Sequence, residues 1–332
     1  MTTPPRDGSS TPGADGLASA PEFDAVRAIV AGARDGAPGE GPGDDAALLS
    51  GGRVVSVDTS VEGVHFRLDR VSAREAGGRA ARAALSDLAA MGARADAVLV
   101  ALTGPDRDAL VAAGRGARAA AEAFGARLVG GDLVAAASPL SISVTVLGSL
   151  GEDPPFLRSG ARPGDALWVT GALGAAAFAV EAWARGETPP PAARDAFLHP
   201  IPRTDLVPAL RASLHATAAI DLSDGLAADA RHLARASRVA LHFDAASIPV
   251  AEVVRAHASP DDALRLALEG GEDFELLLAA PDGDGIVEAF EGATTVRLTR
   301  VGVVAEGEGA QISGVDGSSS PLRGGYRHWR DQ

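Results

Sequence analysis

The chain has 332 residues, 30 basic and 44 acidic side chains, a net charge of −14, no cysteine and no lysine. The missing cysteine excludes disulfides, thiolate nucleophiles and Cys-ligated metals; the missing lysine excludes Schiff bases and a P-loop lysine; the acidity disfavours nucleic acid. At this length two domains are expected, with cores of Ala, Val and Leu because aromatic residues make up only 4%.

Residues 1–20 are rich in Pro, Gly, Ser, Thr and Ala and read as a disordered tail. No apolar run is long enough to span a membrane, and the N-terminal stretch lacks the regions of a signal peptide, so no membrane partner and a cytoplasmic location are expected. A helix is expected over Glu22–Ala33, then a loop over Gly36–Gly43 leading to Asp44-Asp45. Arg53–Asp58 reads as a strand, with Val55 and Val57 on one face and Ser56 and Asp58 on the other. Ser72-Ala73-Arg74-Glu75 is a capping box that opens a helix to Met91, stopped by Gly92. A strand over Val98–Leu102 and a helix over Asp108–Phe124 follow, then a short strand over Arg127–Val129 that ends at Gly130-Gly131-Asp132. In Leu140–Leu147, Ile142, Val144 and Val146 alternate with Ser141, Ser143 and Thr145.

The Pro-bearing loop Gly151–Gly164 divides an N-terminal domain, 21–152, from a C-terminal domain, 153–332. The second half continues with a strand over Ala166–Thr170, a helix over Ala175–Arg185 and a break at Pro189–Pro191. A strand over Ala218–Ile220 runs into Asp221-Leu222-Ser223-Asp224-Gly225 and a helix to Ala236. A strand over Phe274–Ala279 follows Gly270-Gly271-Glu272-Asp273. The fold class is α/β (α+β), with two mixed domains, each a sheet backed by helices.

Asp45, Asp58, Asp87, Asp132, Asp221 and Asp224 all fall at expected element ends or in adjoining loops, several beside glycine, which admits close backbone approach. Asp45, Asp58 and Asp132 have ordinary readings as turn or strand-end residues, and Asp221, Ser223 and Asp224 read as a helix N-cap cluster. The same N-terminal geometry binds phosphate. Asp87 opposes the dipole at a helix C-terminus, which suggests a further reason for an acid there. Six loop acids without lysine suit Mg²⁺ ions set between carboxylates and a nucleotide triphosphate.

Several segments, in order, resemble those of thiamine-monophosphate kinases, within the superfamily of aminoimidazole ribonucleotide synthetase and selenophosphate synthetase. They begin with Gly41-Pro42-Gly43-Asp44-Asp45-Ala46-Ala47, Val57-Asp58-Thr59-Ser60-Val61-Glu62-Gly63-Val64-His65-Phe66 and Leu85-Ser86-Asp87-Leu88-Ala89-Ala90-Met91-Gly92. Leu128–Asp132, Arg158–Asp165, Ile220–Leu226, Gly270–Leu276 and the closing Gly325–Trp329 follow. The resemblance implies a homodimer in which N-terminal sheets pair into a barrel, with ATP in the cleft between the domains. It implies phosphorylation of thiamine monophosphate to thiamine diphosphate, the last step in making that diphosphate.

By the same resemblance, Asp45, Ser56, Val57, Asp58, Asp87, Asp132, Asp221 and Asp224 would hold several Mg²⁺ ions. Gly131, Asp132, Arg158, Ser223 and Phe124 would contact ATP, and His65, Glu272 and Tyr326 would line the thiamine monophosphate pocket. Asp87, Asp221 and Arg158 would carry catalysis. Val57, Ala84 and Leu133 depart from the residues usual in the family, and Val57 is left only its backbone carbonyl as a metal ligand. Selenophosphate synthetase is disfavoured because its reactive Cys and Lys are absent.

Overall fold

The computed structural model describes residues 43–314 and 317–326, together with Ala25, Ala28 and Ile29, which are helical and exposed. The expected tail, most of the first helix, the loop up to Pro42 and the closing Arg327–Trp329 lie outside the described residues. The described residues from Gly43 to Tyr326 pack as one unit, built on two sheets.

The first sheet comprises β1 (Ala47–Leu49), β2 (Arg53–Val61), β3 (Arg94–Gly104), β4 (Arg127–Ala135) and β5 (Ser141–Ser149), in the order β1-β2-β5-β3-β4. Helices α1 (Ala73–Ala90) and α2 (Arg107–Ala123) cover one face. The expected alternation in β5 holds, with Ile142, Val144 and Val146 buried towards the helices. On β2 the Val57 side chain is 64% exposed, so it points away from the face that Ser56 and Asp58 share.

Both halves of the α1 capping box form: Ser72 accepts from the Glu75 N–H, and Glu75 accepts from the Ser72 N–H. The helix ends at Met91 because Gly92 takes φ +68°. α1 and α2 touch backbone to backbone. A Cβ on Gly77 would lie 1.9 Å from the Ala113 carbonyl oxygen, and one on Gly116 would lie 1.9 Å from that of Arg74. Small residues on both helices therefore replace the aromatic filling that this composition lacks.

The second sheet has the order β12-β11-β8-β10-β6-β9-β7. Its strands are β6 (Asp165–Thr170), β7 (Ala218–Asp221), β8 (Ala240–Asp244), β9 (Leu276–Pro281), β10 (Leu298–Ala305), β11 (Gly309–Ser313) and β12 (Ser319–Pro321). Its helices are α3 (Ala175–Ala184), α4 (Pro191–Leu198), α5 (Val207–Ser213), α6 (Leu226–Ser237), α7 (Glu252–His257), α8 (Pro260–Glu269) and α9 (Ile286–Ala293). All of β6 is buried, which accounts for its run of apolar residues. Beyond the first sheet, α1 also packs on β7 and on the 3₁₀ turn Arg203–Asp205. That contact joins the two halves at the site.

Three expectations need correction. β4 does not stop at the glycines but runs through them, because Gly131 pairs with Val100, where a Cβ would lie 2.0 Å from the Val100 carbonyl oxygen. The prolines at 189–191 do not simply break the chain: Pro190 caps α4 and Pro191 opens it, a position where a missing N–H costs nothing. Asp58 and Asp132 lie inside strands rather than at their ends or in loops, whereas Asp87 lies in the last turn of α1 as expected.

Candidate active site

Asp45 stands just before β1, Asp87 in the last turn of α1, and Asp221 at the end of β7. The packing of α1 against β7 brings them together, and one carboxylate oxygen from each lies within 4.8 Å of the others. The Ser56 hydroxyl, across on β2, donates to Asp87 Oδ2 at 2.6 Å and to the Asp45 carbonyl at 3.2 Å. Arg158 supplies the nearby cation. Its Nη2 donates to Asp45 Oδ1 at 2.7 Å, and its backbone N–H donates to Asp44 Oδ1 at 2.7 Å.

Three carboxylates this close repel one another. Burial, then Asp221 and Asp45, push the Asp87 carboxyl well above the usual range. Burial and then Asp45 do the same to Asp221. Burial alone would lower Arg158, but the charges of Asp45 and Asp221 outweigh it, and the guanidinium is held charged. The Asp45 side chain is 2% exposed, and its Oδ2 is buried with no hydrogen-bond donor. An orphaned, buried carboxylate oxygen facing two further carboxylates is an oxygen donor set suited to a hard divalent cation. The residues present fit Mg²⁺.

The other expected ligands are spread around this centre. Asp58 adds to the field at Asp87. Asp224 lies beyond Asp221, and its N–H donates to Asp229 Oδ2 at 3.1 Å. Asp132 stands apart. The register runs Asp132–Ala101–Ser143–Thr59 across four strands. At ~4.8 Å per strand, Asp132 is therefore ~14 Å from Thr59, the neighbour of Asp58. Its carboxylate accepts from the Leu133 N–H at 2.9 Å. Gly131 shares that exposed edge strand. Phe124 caps the C-terminus of α2, with the Arg82 guanidinium 5.2 Å over its ring.

His65, Glu272 and Tyr326, far apart in the chain, line one cavity of about 450 Å³. Trp183 and Phe197, edge to face at 5.2 Å, form an aromatic wall. His65 is oriented by the Val61 N–H, which donates to its Nδ1 at 3.0 Å. The cavity joins the acid centre through the backbone. The Glu272 N–H donates to the Ser223 carbonyl at 2.8 Å, and the Tyr326 N–H donates to the Asp224 carbonyl at 3.0 Å. Two walls of the cavity are thus fastened to the loop that starts at Asp221.

Sequence reasoning passed over Asp44 as a ligand to Arg158, although the Asp44-Asp45 doublet marked it. It also missed Trp183, Phe197 and Arg79, which ion-pairs with Glu272; helix periodicity makes such residues look like ordinary core.

The family model AIR synthase related protein, N-terminal domain, matches residues 43–150, and AIR synthase related protein, C-terminal domain, matches residues 162–314. The chain is 36% identical over 281 residues to the thiamine-monophosphate kinase of Rhodopirellula baltica, covering 80% of this chain and 83% of the relative. The crystal structure of thiamine-monophosphate kinase from Stenotrophomonas maltophilia K279a is 38% identical, with a TM-score of 0.74, covering 92% of this chain and 98% of that one. AaThiL complexed with AMPPCP and TMP is 27% identical, with a TM-score of 0.78, covering 93% of this chain and 96% of that one.

Proposed function

The chain belongs to the thiamine-monophosphate kinase family, and from that premise we propose how it transfers the γ-phosphoryl group of ATP to thiamine monophosphate. The observation that carries the reading is the junction of the two sites. A cavity with an aromatic wall and carboxylates suits the flat, cationic rings of thiamine, and it is bonded through Glu272 and Tyr326 to the loop of Asp221 and Asp224. A relative complexed with AMPPCP, an ATP analogue, and TMP supports the same pairing of substrates.

Asp45, Asp87 and Asp221 would hold Mg²⁺, with Ser56, Asp58, Asp224 and the Val57 carbonyl around them. Bound there, Mg²⁺ would neutralise triphosphate charge and that of the transferring group. Arg158, already charged beside Asp45, would bind phosphate oxygens, and the Ser223 region at the start of α6 would offer backbone N–H groups. The acceptor phosphate is ionised at neutral pH, so the side chains need only align it for in-line attack and exclude water. No covalent enzyme intermediate is required.

The reading extends to a homodimer. β4 is an edge strand with Val129 53% and Leu133 54% exposed, an apolar edge that a second copy would cover. Gly131 and Asp132 would then serve a site shared with the partner, since they stand away from the acid centre of their own chain. Division into domains 21–152 and 153–332 and a cytoplasmic location belong to the same proposal; among the described residues no helix is long and apolar enough to cross a membrane. Phe124 near adenine is the least supported role, since its ring is occupied by Arg82.

The test is incubation of the purified chain with ATP, Mg²⁺ and thiamine monophosphate. Thiamine diphosphate and ADP should form together, and chelation should abolish both. Binding of ATP with no thiamine diphosphate would sink the reading.

A further inference from the structure

Arg79 is the largest side chain fully buried among the described residues. A buried guanidinium is costly, and an apolar residue of the same volume would fill the space at less expense. What surrounds it is specific. Nη2 pairs with the Glu272 carboxylate, and the guanidinium carbon lies 4.3 Å over the ring of Phe197. Glu272 and Phe197 both line the cavity, whereas Arg79 lies behind them. Its Nε has no acceptor, its Nη2 meets Glu272 Oε2 as an ion pair and not through a hydrogen bond, and it feels the charge of Asp58 on β2.

Glu272 needs such an anchor. It takes φ +65°, with Gly271 at +65° before it and Phe274 at +51° two residues on, left-handed conformations that side chains resist. Its backbone is held by the Ser223 carbonyl, while Arg79 ties its carboxylate to α1, the helix that carries Asp87.

We propose that Arg79 is a positioning residue for the phosphoryl acceptor: it locks Glu272 and Phe197, two walls of the cavity, onto the helix that carries Asp87. The inference rests on the reading of the cavity as the acceptor site. A planar guanidinium does this because it stacks on a ring and pairs with a carboxylate at once, whereas an ammonium is only a point charge.

The experiment compares Arg79→Met, Arg79→Lys, Glu272→Gln and the double variant Arg79→Met/Glu272→Gln. It measures KM for each substrate, kcat, and calorimetric binding of thiamine monophosphate. Arg79→Met should raise KM and Kd for thiamine monophosphate about tenfold or more, with KM for ATP changed by about twofold or less. Arg79→Lys should recover part of that loss, and the double variant should be little worse than the worse single one.

Equal loss for both substrates, or full additivity in the double variant, would overturn the proposal. If Arg79→Met does not fold, Arg79→Lys and Glu272→Gln carry the same substrate comparison. If wild type turns over thiamine monophosphate and the acceptor constants of the variants are unmoved, this inference alone fails. If wild type binds it without turnover, the functional reading fails and the Kd comparison decides Arg79. Absence of binding removes both.

Discussion

Two groups of buried acid lie side by side, where the N–H of Leu222, next to Asp221, donates to the Glu275 carbonyl, and they end differently. Glu275, the residue just before β9, accepts from Arg203 through both oxygens and from the Thr170 hydroxyl at 2.7 Å. Asp45, Asp87 and Asp221 face one another, only Asp45 bonds an arginine, Arg158, and Asp45 Oδ2 is left without a donor. Burial raises the carboxyls of both groups, but Arg203 opposes it at Glu275, while neighbouring acids reinforce it at Asp87. An acid whose partners come from the protein holds the fold. One whose neighbours are other acids is what a bound cation would complete.

The largest effect that could break this contrast is on turnover. Asp87→Asn or Asp221→Asn should lower thiamine diphosphate formation about a thousandfold, while the metal-free melting temperature stays level or rises because a repulsion is removed. A variant that loses stability and keeps activity would place the triad with the structural acids. Next in size is the reverse case. Glu275→Gln strips a buried guanidinium of its charge partner, and chemical denaturation should show a loss of about 3 kcal/mol, with turnover per folded molecule within a few-fold of wild type.

Ser56→Ala sharpens the comparison on a smaller scale. Removing the 2.6 Å hydrogen bond to Asp87 should cost about tenfold in kcat, the worth of one hydrogen bond to a charged group, with circular dichroism melts nearly unchanged. The smallest effect is on pH dependence. Asp87 and Asp221 are raised from 3.8 in the folded chain, so between 3.8 and their folded values the native state binds more protons than the unfolded one. Stability of the chelated protein should therefore rise by a few degrees in melting temperature as pH falls into that window, and fall as pH rises through it. Asp229 and Glu275 are raised too and contribute the same sign, so Asp87→Asn should remove only part of the slope. Saturating Mg²⁺ should flatten it.

Much of this is legible in the sequence. The Ser72–Glu75 capping box and Gly92 bounded α1 correctly, and the alternation in β5 and the outward Val57 followed from the period of two. Asp87 stood out because an acid at a helix C-terminus is locally unfavourable, and the structure places it beside Asp45 and Asp221. Asp132 looked equivalent beside its glycines yet lies on the far edge of the sheet, because those glycines serve strand pairing with Val100 rather than a turn. Trp183, Phe197 and Arg79 carried no signal, since an aromatic or an arginine within a helix has many uses.

The sequence by itself determined the local elements, the absence of thiol and lysine chemistry, and which acids were available, because capping, alternation and side-chain inventory act over a few residues. Tertiary structure alone decided which acids meet. The separation of Asp45, Asp87 and Asp221 is set by how α1 packs across β7 and the first sheet, and the cavity by how α3, α4 and the left-handed segment at Glu272 close on His65. Such distances depend on the filling of a shared core by residues remote in the chain, which no local pattern encodes.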